Sequence, residues 1–120
     1  MASKKETVEI IDKLIELTQH NQIIWQSASP PDYMRGADSR VDLVYLTRYL
    51  GQIIRLYKKH YKYYIDESQF VWDERIYFEF IDENGSTLWE FPQTPNAYEV
   101  LRSVMYRNSQ VGSFYNELVK

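Results

Sequence analysis

No cysteine occurs among the 120 residues. Disulfide staples, thiolate zinc sites and cysteine nucleophiles are therefore excluded together. Glycine and proline are sparse, at four each, too few for a glycine-rich phosphate loop or a flexible linker. A basic surplus is also missing, because the formal net charge is −3. Any grip on phosphates would have to come from a local patch. Apolar runs are short, and none approaches membrane-spanning length. The opening segment, in which acids and lysines interrupt the apolar positions, does not read as a signal peptide. A cytoplasmic protein without a membrane partner is the expectation, and nothing in the motifs calls for a cofactor or a metal.

Aromatic residues are plentiful instead. Eleven tyrosines, five phenylalanines and three tryptophans make up 16% of the chain. Aromatic side chains favour pleated, half-buried surfaces, which moves the expectation towards a sheet-rich fold. The length fits one domain, residues 1–120.

The first element reads as a helix. Ser3 and Glu6 form an S-x-x-E capping box. Val8, Ile11, Leu14, Ile15 and Thr18 follow at helical spacing, widened by Ile10 and Leu17. His20-Asn21 is the expected stop. Gln22 to Ala28 reads as a short strand, and the SPPDYMRGADS stretch as a loop. Val41 to Tyr64 fits either period. Leu43, Leu46, Leu50, Ile53, Tyr57, Tyr61 and Tyr64 would line a helix. Leu43, Tyr45, Thr47, Tyr49, Ile53, Tyr57, Tyr61 and Tyr63 would line one face of a strand, with Gly51 in the series. The tyrosines and β-branched residues favour strand, broken or bent near Gly51.

Phe70 to Ile81 alternates, with Phe70, Trp72, Ile76, Phe78 and Phe80 on one side. Asn84-Gly85 predicts a two-residue type I′ hairpin with Glu83 opposite Ser86. That register sets Phe80 against Trp89 and Phe78 against Phe91, as cross-strand ring pairs. Thr94 and Pro95 open a closing helix with a stripe from Ala97 to Leu118, in which Asn108 and Gly112 are the odd members. The expected fold is α+β, an antiparallel meander of about four strands covered on one face by the two terminal helices.

Two groups of residues are candidates for function. Tyr45, Tyr49, Tyr57, Tyr61 and Tyr63 would form a tyrosine face suited to a protein partner or to self-association, since tyrosine combines contact area with a polar tip. Arg55, Lys58, Lys59 and Lys62, interleaved with Tyr61 and Tyr63, have the make-up of a single-stranded nucleic-acid groove. A run of acids follows them, Asp66, Glu67, Asp73, Glu74, Glu79, Asp82 and Glu83. If the two segments pair, basic strand lies beside acidic strand, and the lysines serve the sheet instead of a phosphate backbone. A small-ligand pocket between sheet and helices is a third reading. Catalytic constellations are absent from the pattern. His20 and His60 have no ligand spacing, and no serine sits in a nucleophile elbow. The expected function is a non-catalytic interaction module.

The order LIELT…IIW, YLTRYLGQIIRLY, FEFIDENGSTLWEFP and a closing amphipathic helix resembles small bacterial proteins of unknown function. The resemblance spans nearly the whole chain. It implies the helix–meander–helix fold and a bacterial source, and it carries no catalytic or binding residues.

Overall fold

A computed structural model describes residues 3–120. Helix α1 (Lys4–Gln19) starts at the expected capping box: the Glu6 amide donates to Ser3 Oγ at 3.1 Å and the Ser3 amide donates to Glu6 Oε1 at 3.1 Å. The strands are β1 (Gln26–Ala28), β2 (Ser39–Tyr49), β3 (Gln52–Tyr64), β4 (Phe70–Ile81) and β5 (Thr87–Glu90). They form one antiparallel sheet in chain order. A 3-10 turn (Asp32–Met34) lies between β1 and β2, and α2 (Ala97–Asn108) and α3 (Val111–Leu118) close the chain. This is the α+β meander expected from the sequence, with one more strand and a divided last helix.

The Val41 to Tyr64 segment is strand throughout except at Leu50-Gly51, which reverses the chain. Both residues have positive φ, 50° and 80°, and Tyr49 pairs with Gln52. That is the geometry of a two-residue hairpin whose twist matches the flanking strands. Gly51 adopts it freely, whereas Leu50 is an unusual occupant.

At the β4–β5 hairpin the expected pairing of Phe80 with Trp89 holds, but the expected turn does not, and Asp82 instead of Glu83 lies opposite Ser86. Asp82 Oδ1 accepts from the amides of Asn84 and Ser86, both at 2.9 Å, and the Asp82 amide donates to the Ser86 carbonyl at 2.9 Å. Of the two central residues only Gly85 has positive φ. The aspartate-held loop is therefore wider than a type I′ turn. A bulge between Phe80 and Ile81 absorbs the difference, so Phe80 still faces Trp89.

α1 and α2 cover one face of the sheet. Ile11, Leu14 and Leu17 from α1 and Val100, Leu101 and Val104 from α2 meet Tyr45, Ile54, Leu56, Ile76, Phe78 and Phe91. Phe91 stacks on Phe78 at 4.4 Å and stands edge-on to Phe80 at 4.9 Å. Trp25 tucks under the helices and donates from Nε1 to Thr18 Oγ1 at 3.0 Å. A smaller cluster of Met34, Val41, Val44 and Tyr57 closes the middle of the opposite face under the 3-10 turn. The last helix breaks at Gln110, which has φ 59°, and α3 buries none of its residues.

The molecule is elongated, 55 × 39 × 29 Å, with a radius of gyration of 16.0 Å. A compact chain of this length has roughly 14 Å.

Candidate interaction surface

The strand register decides which side chains share a surface. Across the Leu50-Gly51 reversal, Tyr45 pairs with Leu56 and Val44 with Tyr57. Directly opposite residues share a face. Tyr45 and Tyr49 therefore lie with Ile54 and Leu56 against the helices, while Tyr57, Tyr61 and Tyr63 lie on the other face. The five tyrosines do not form one face. The physical reason is the two-residue turn: a bend would have kept the alternation running, whereas a full reversal inverts it.

The basic group is divided in the same way. Lys58 and Lys62 lie on the helix side, Arg55 and Lys59 on the other. Lys58 Nζ is 3.7 Å from Glu74, Lys62 Nζ is 4.5 Å from the centre of the Phe70 ring, and Lys59 Nζ is 5.7 Å from that of Tyr77. The basic strand does lie beside the acidic one, with Arg55 opposite Glu79 and His60 opposite Glu74.

Arg55 and Glu79 are each only 2% exposed. Arg55 Nε donates to Glu79 Oε1 at 2.6 Å, Nη1 to the Gly85 carbonyl at 3.1 Å and Nη2 to the Tyr33 hydroxyl at 2.7 Å. Thr87 Oγ1 donates to the other Glu79 oxygen at 3.1 Å. Burial works against the arginine charge, but the Glu79 carboxylate and the Tyr33 hydroxyl outweigh it, and the Arg55 pKa lies above its ordinary value. Beside it, burial and then the Glu79 charge push the Tyr57 phenol far up. Every buried donor and acceptor here has a partner. The network ties the 3-10 turn and the Asp82–Ser86 loop to the sheet, so it is a clamp. Sequence reading missed the pair, although each charge sits alone in an apolar run, IIRLY and YFEFI.

A cavity of about 800 Å³ opens beside this clamp. Its floor is Val44, Leu46, Ile53 and Ile81, with Pro31 at one rim and Gly85 at the other. It lies on the face away from the helices, not between sheet and helices. At its mouth Arg48 grips Glu83 through two hydrogen bonds of 2.9 and 2.6 Å. That bond, chiefly, holds the Glu83 pKa below the usual carboxylate value.

The far half of the hairpin is different in kind. Six consecutive residues of β4, Phe70 to Arg75, are exposed although they sit within a paired strand. Phe70 is 41%, Val71 48% and Trp72 50% exposed. The rings are held in place. Phe70 and Trp72 meet edge-on at 6.0 Å, Lys62 lies over both, and Tyr64 touches Phe70 from across the ladder. On the reverse side Tyr61 donates to Asp73 Oδ2 at 3.1 Å and Arg75 lies over the Tyr61 ring.

The backbone edge of this segment is free. The Phe91 amide donates to the Phe78 carbonyl, so the Phe78 backbone points away from β3. The Lys62 amide donates to Asp38 on the β2 side, so the Lys62–Trp72 pair does not exchange ladder bonds. Antiparallel ladders alternate. Phe70, Trp72, Glu74 and Ile76 therefore all direct their N–H and C=O groups outward, and of these amides that of Glu74 is taken by Asp73 Oδ1 at 2.8 Å. Among the described residues β5 pairs only with Glu79, Phe80 and Ile81, which leaves the edge from Phe70 to Arg75 without a strand.

Among the described residues no group of three His, Asp or Glu side chains is placed to hold a metal ion, and no helix is long and apolar enough to cross a membrane. No protein-family model, curated protein or solved structure matches the chain.

Proposed function

We propose that the chain is a non-catalytic interaction module that docks a protein partner by adding a strand to the outer edge of β4. One observation carries this reading: Phe70 to Arg75 combines an unpaired backbone edge with exposed, pre-arranged rings. Strand addition takes affinity from main-chain hydrogen bonds and specificity from alternate side chains. Exposed apolar edges are otherwise an aggregation hazard, which proteins blunt with charge, bulges or cover. This edge has no bulge against β3. The tyrosine surface of the sequence reading narrows to Tyr61 and Tyr63, which flank this edge on β3.

Site-specific photo-crosslinking in the expressing cell tests the proposal. A photoreactive residue at Trp72 is expected to give a discrete protein adduct that the same group at exposed Lys13, on α1, does not give. Identical adducts from both positions, or none from either, contradict the proposal.

A further inference from the structure

Resting on that reading, we infer that the occupant of the β4 edge is a second copy of the same chain, paired antiparallel about a two-fold axis at Val71. Strand register selects the alignment. Outward-pointing residues must face outward-pointing residues. Axes through a residue of β4 obey this, and charge and length separate them. An axis at Phe70 sets Asp73 against the partner's Glu67. An axis at Asp73 sets Asp73 against the partner's Asp73. An axis at Arg75 likewise opposes like charges, which destabilises a strand pair. An axis at Glu74 carries the partner's turn as far as Ile81, where β5 already pairs. An axis at Trp72 carries the partner's turn past Arg75 onto Ile76, which is buried.

An axis at Val71 has none of these faults. Phe70 faces the partner's Trp72, and Trp72 faces the partner's Phe70. These are aromatic cross-strand pairs of the kind that stabilise sheets. Both are outward-pointing positions, so each pair exchanges main-chain bonds. Val71 meets the partner's Val71 on the opposite face. Asp73 faces the partner's Gln69, and Arg75 comes beside the partner's Glu67. Neither Arg75 nor Glu67 is ion-paired among the described residues of one copy. The partner's turn then ends at Arg75, where the exposed run also ends. Edge, ring pairing, charge and length all select this alignment. The interface is isologous, so it closes at two copies and leaves no edge of this segment for a third.

Sedimentation equilibrium of the full chain over a concentration series tests the inference. A reversible monomer–dimer equilibrium is expected. Val71 is half exposed and belongs to neither core cluster, so Val71→Lys keeps the fold, checked by circular dichroism. It sets two like charges face to face at the axis, and dimerisation is expected to weaken by roughly tenfold or more. Val71→Glu is expected to do the same. An equimolar mixture of the two variants regains the dimer, because only at this axis does residue 71 face its own copy. A wild type that stays monomeric at every concentration overturns the inference, as does a dimer indifferent to Val71→Lys or a mixture that fails to recover. A monomeric wild type whose Trp72 crosslinks specifically to a different protein overturns the second copy as occupant and leaves the docking edge standing.

Discussion

The two ends of the β3–β4 ladder use the same materials and reach opposite outcomes. At the near end, Arg55 and Glu79 face each other beside Tyr57 and Ile81, and all four are buried. At the far end, Lys62, Tyr64, Phe70 and Trp72 face each other in solvent or at its margin. Both ends pair cations, carboxylates and rings across an unbroken register. The difference lies in what covers them. α1 and α2 lie over one face of the near end, and the 3-10 turn and the Asp82–Ser86 loop lie over the other. Among the described residues no helix lies over the far end, which meets only side chains such as Arg40 over Trp72 and Asp38 against Tyr64. Cover turns a cross-strand charge pair into a clamp, because an unpaired charge there would be costly. Without cover the same kinds of side chain are free for another molecule.

Removing one partner of each charge pair separates the two ends most strongly. Glu79→Ala leaves the Arg55 guanidinium buried without its carboxylate and is expected to cost about 3–5 kcal/mol. Replacing both, Arg55→Met with Glu79→Leu, is expected to recover most of that loss, because apolar side chains of similar size often substitute for a buried pair without penalty. At the far end, Glu74→Ala removes a partly exposed contact to Lys58 and is expected to cost no more than about 1 kcal/mol. Urea unfolding measures all three. Equal losses at Glu79 and Glu74 would erase the distinction.

Rings sharpen the same contrast. Phe78 packs against Phe80 and Phe91 in the core, so Phe78→Ala is expected to cost about 3–5 kcal/mol. Trp72 is larger but half exposed, and Trp72→Ala is expected to cost about 1 kcal/mol or less in the isolated chain. Its effect should fall on association instead.

The smallest expected effect concerns pH. Burial, and then neighbouring carboxylates, raise the Tyr57 phenol strongly and the stacked Tyr77 phenol beside it. The folded chain therefore holds these protons to higher pH than the unfolded chain does. The stability linked to them is full below about pH 10, the ordinary tyrosine value, and is lost as pH rises towards the raised folded values. Tyr57→Phe keeps the stacked ring and is expected to flatten that alkaline decline, read from thermal melts across the range. An unchanged slope would mean that the tyrosine is not sealed by the cluster.

Much of the near end was legible in the chain. The capping box, the strand character of Val41 to Tyr64 and the Phe80–Trp89 register all follow from local patterns, because propensity, spacing and turn residues agree there. Two departures lie at turns, and a third at the break of the last helix at Gln110. Leu50 carries no signal for positive φ, so a bend was expected where the chain reverses, and that step placed all five tyrosines on one face. At Asn84-Gly85 the dipeptide pointed to a tight turn, but Asp82 captures two amides and widens it. The free β4 edge was not legible at all. It depends on how short β5 is, and Thr87 to Glu90 looks no shorter in sequence than a strand continuing through Pro92.

Residue-resolved amide exchange along Phe70 to Arg75 tests the central claim most directly. In dilute solution the amides of Val71, Asp73 and Arg75 are expected to be protected by the β3 ladder, while those of Phe70 and Trp72 exchange freely; the Glu74 amide donates to Asp73 Oδ1 at 2.8 Å and does not report on the edge. On raising the protein concentration, the amides of Phe70 and Trp72 should become protected as a second strand adds. Exchange that is uniform along the segment, or already slow at Trp72 in the dilute monomer, would contradict the free edge on which the account rests.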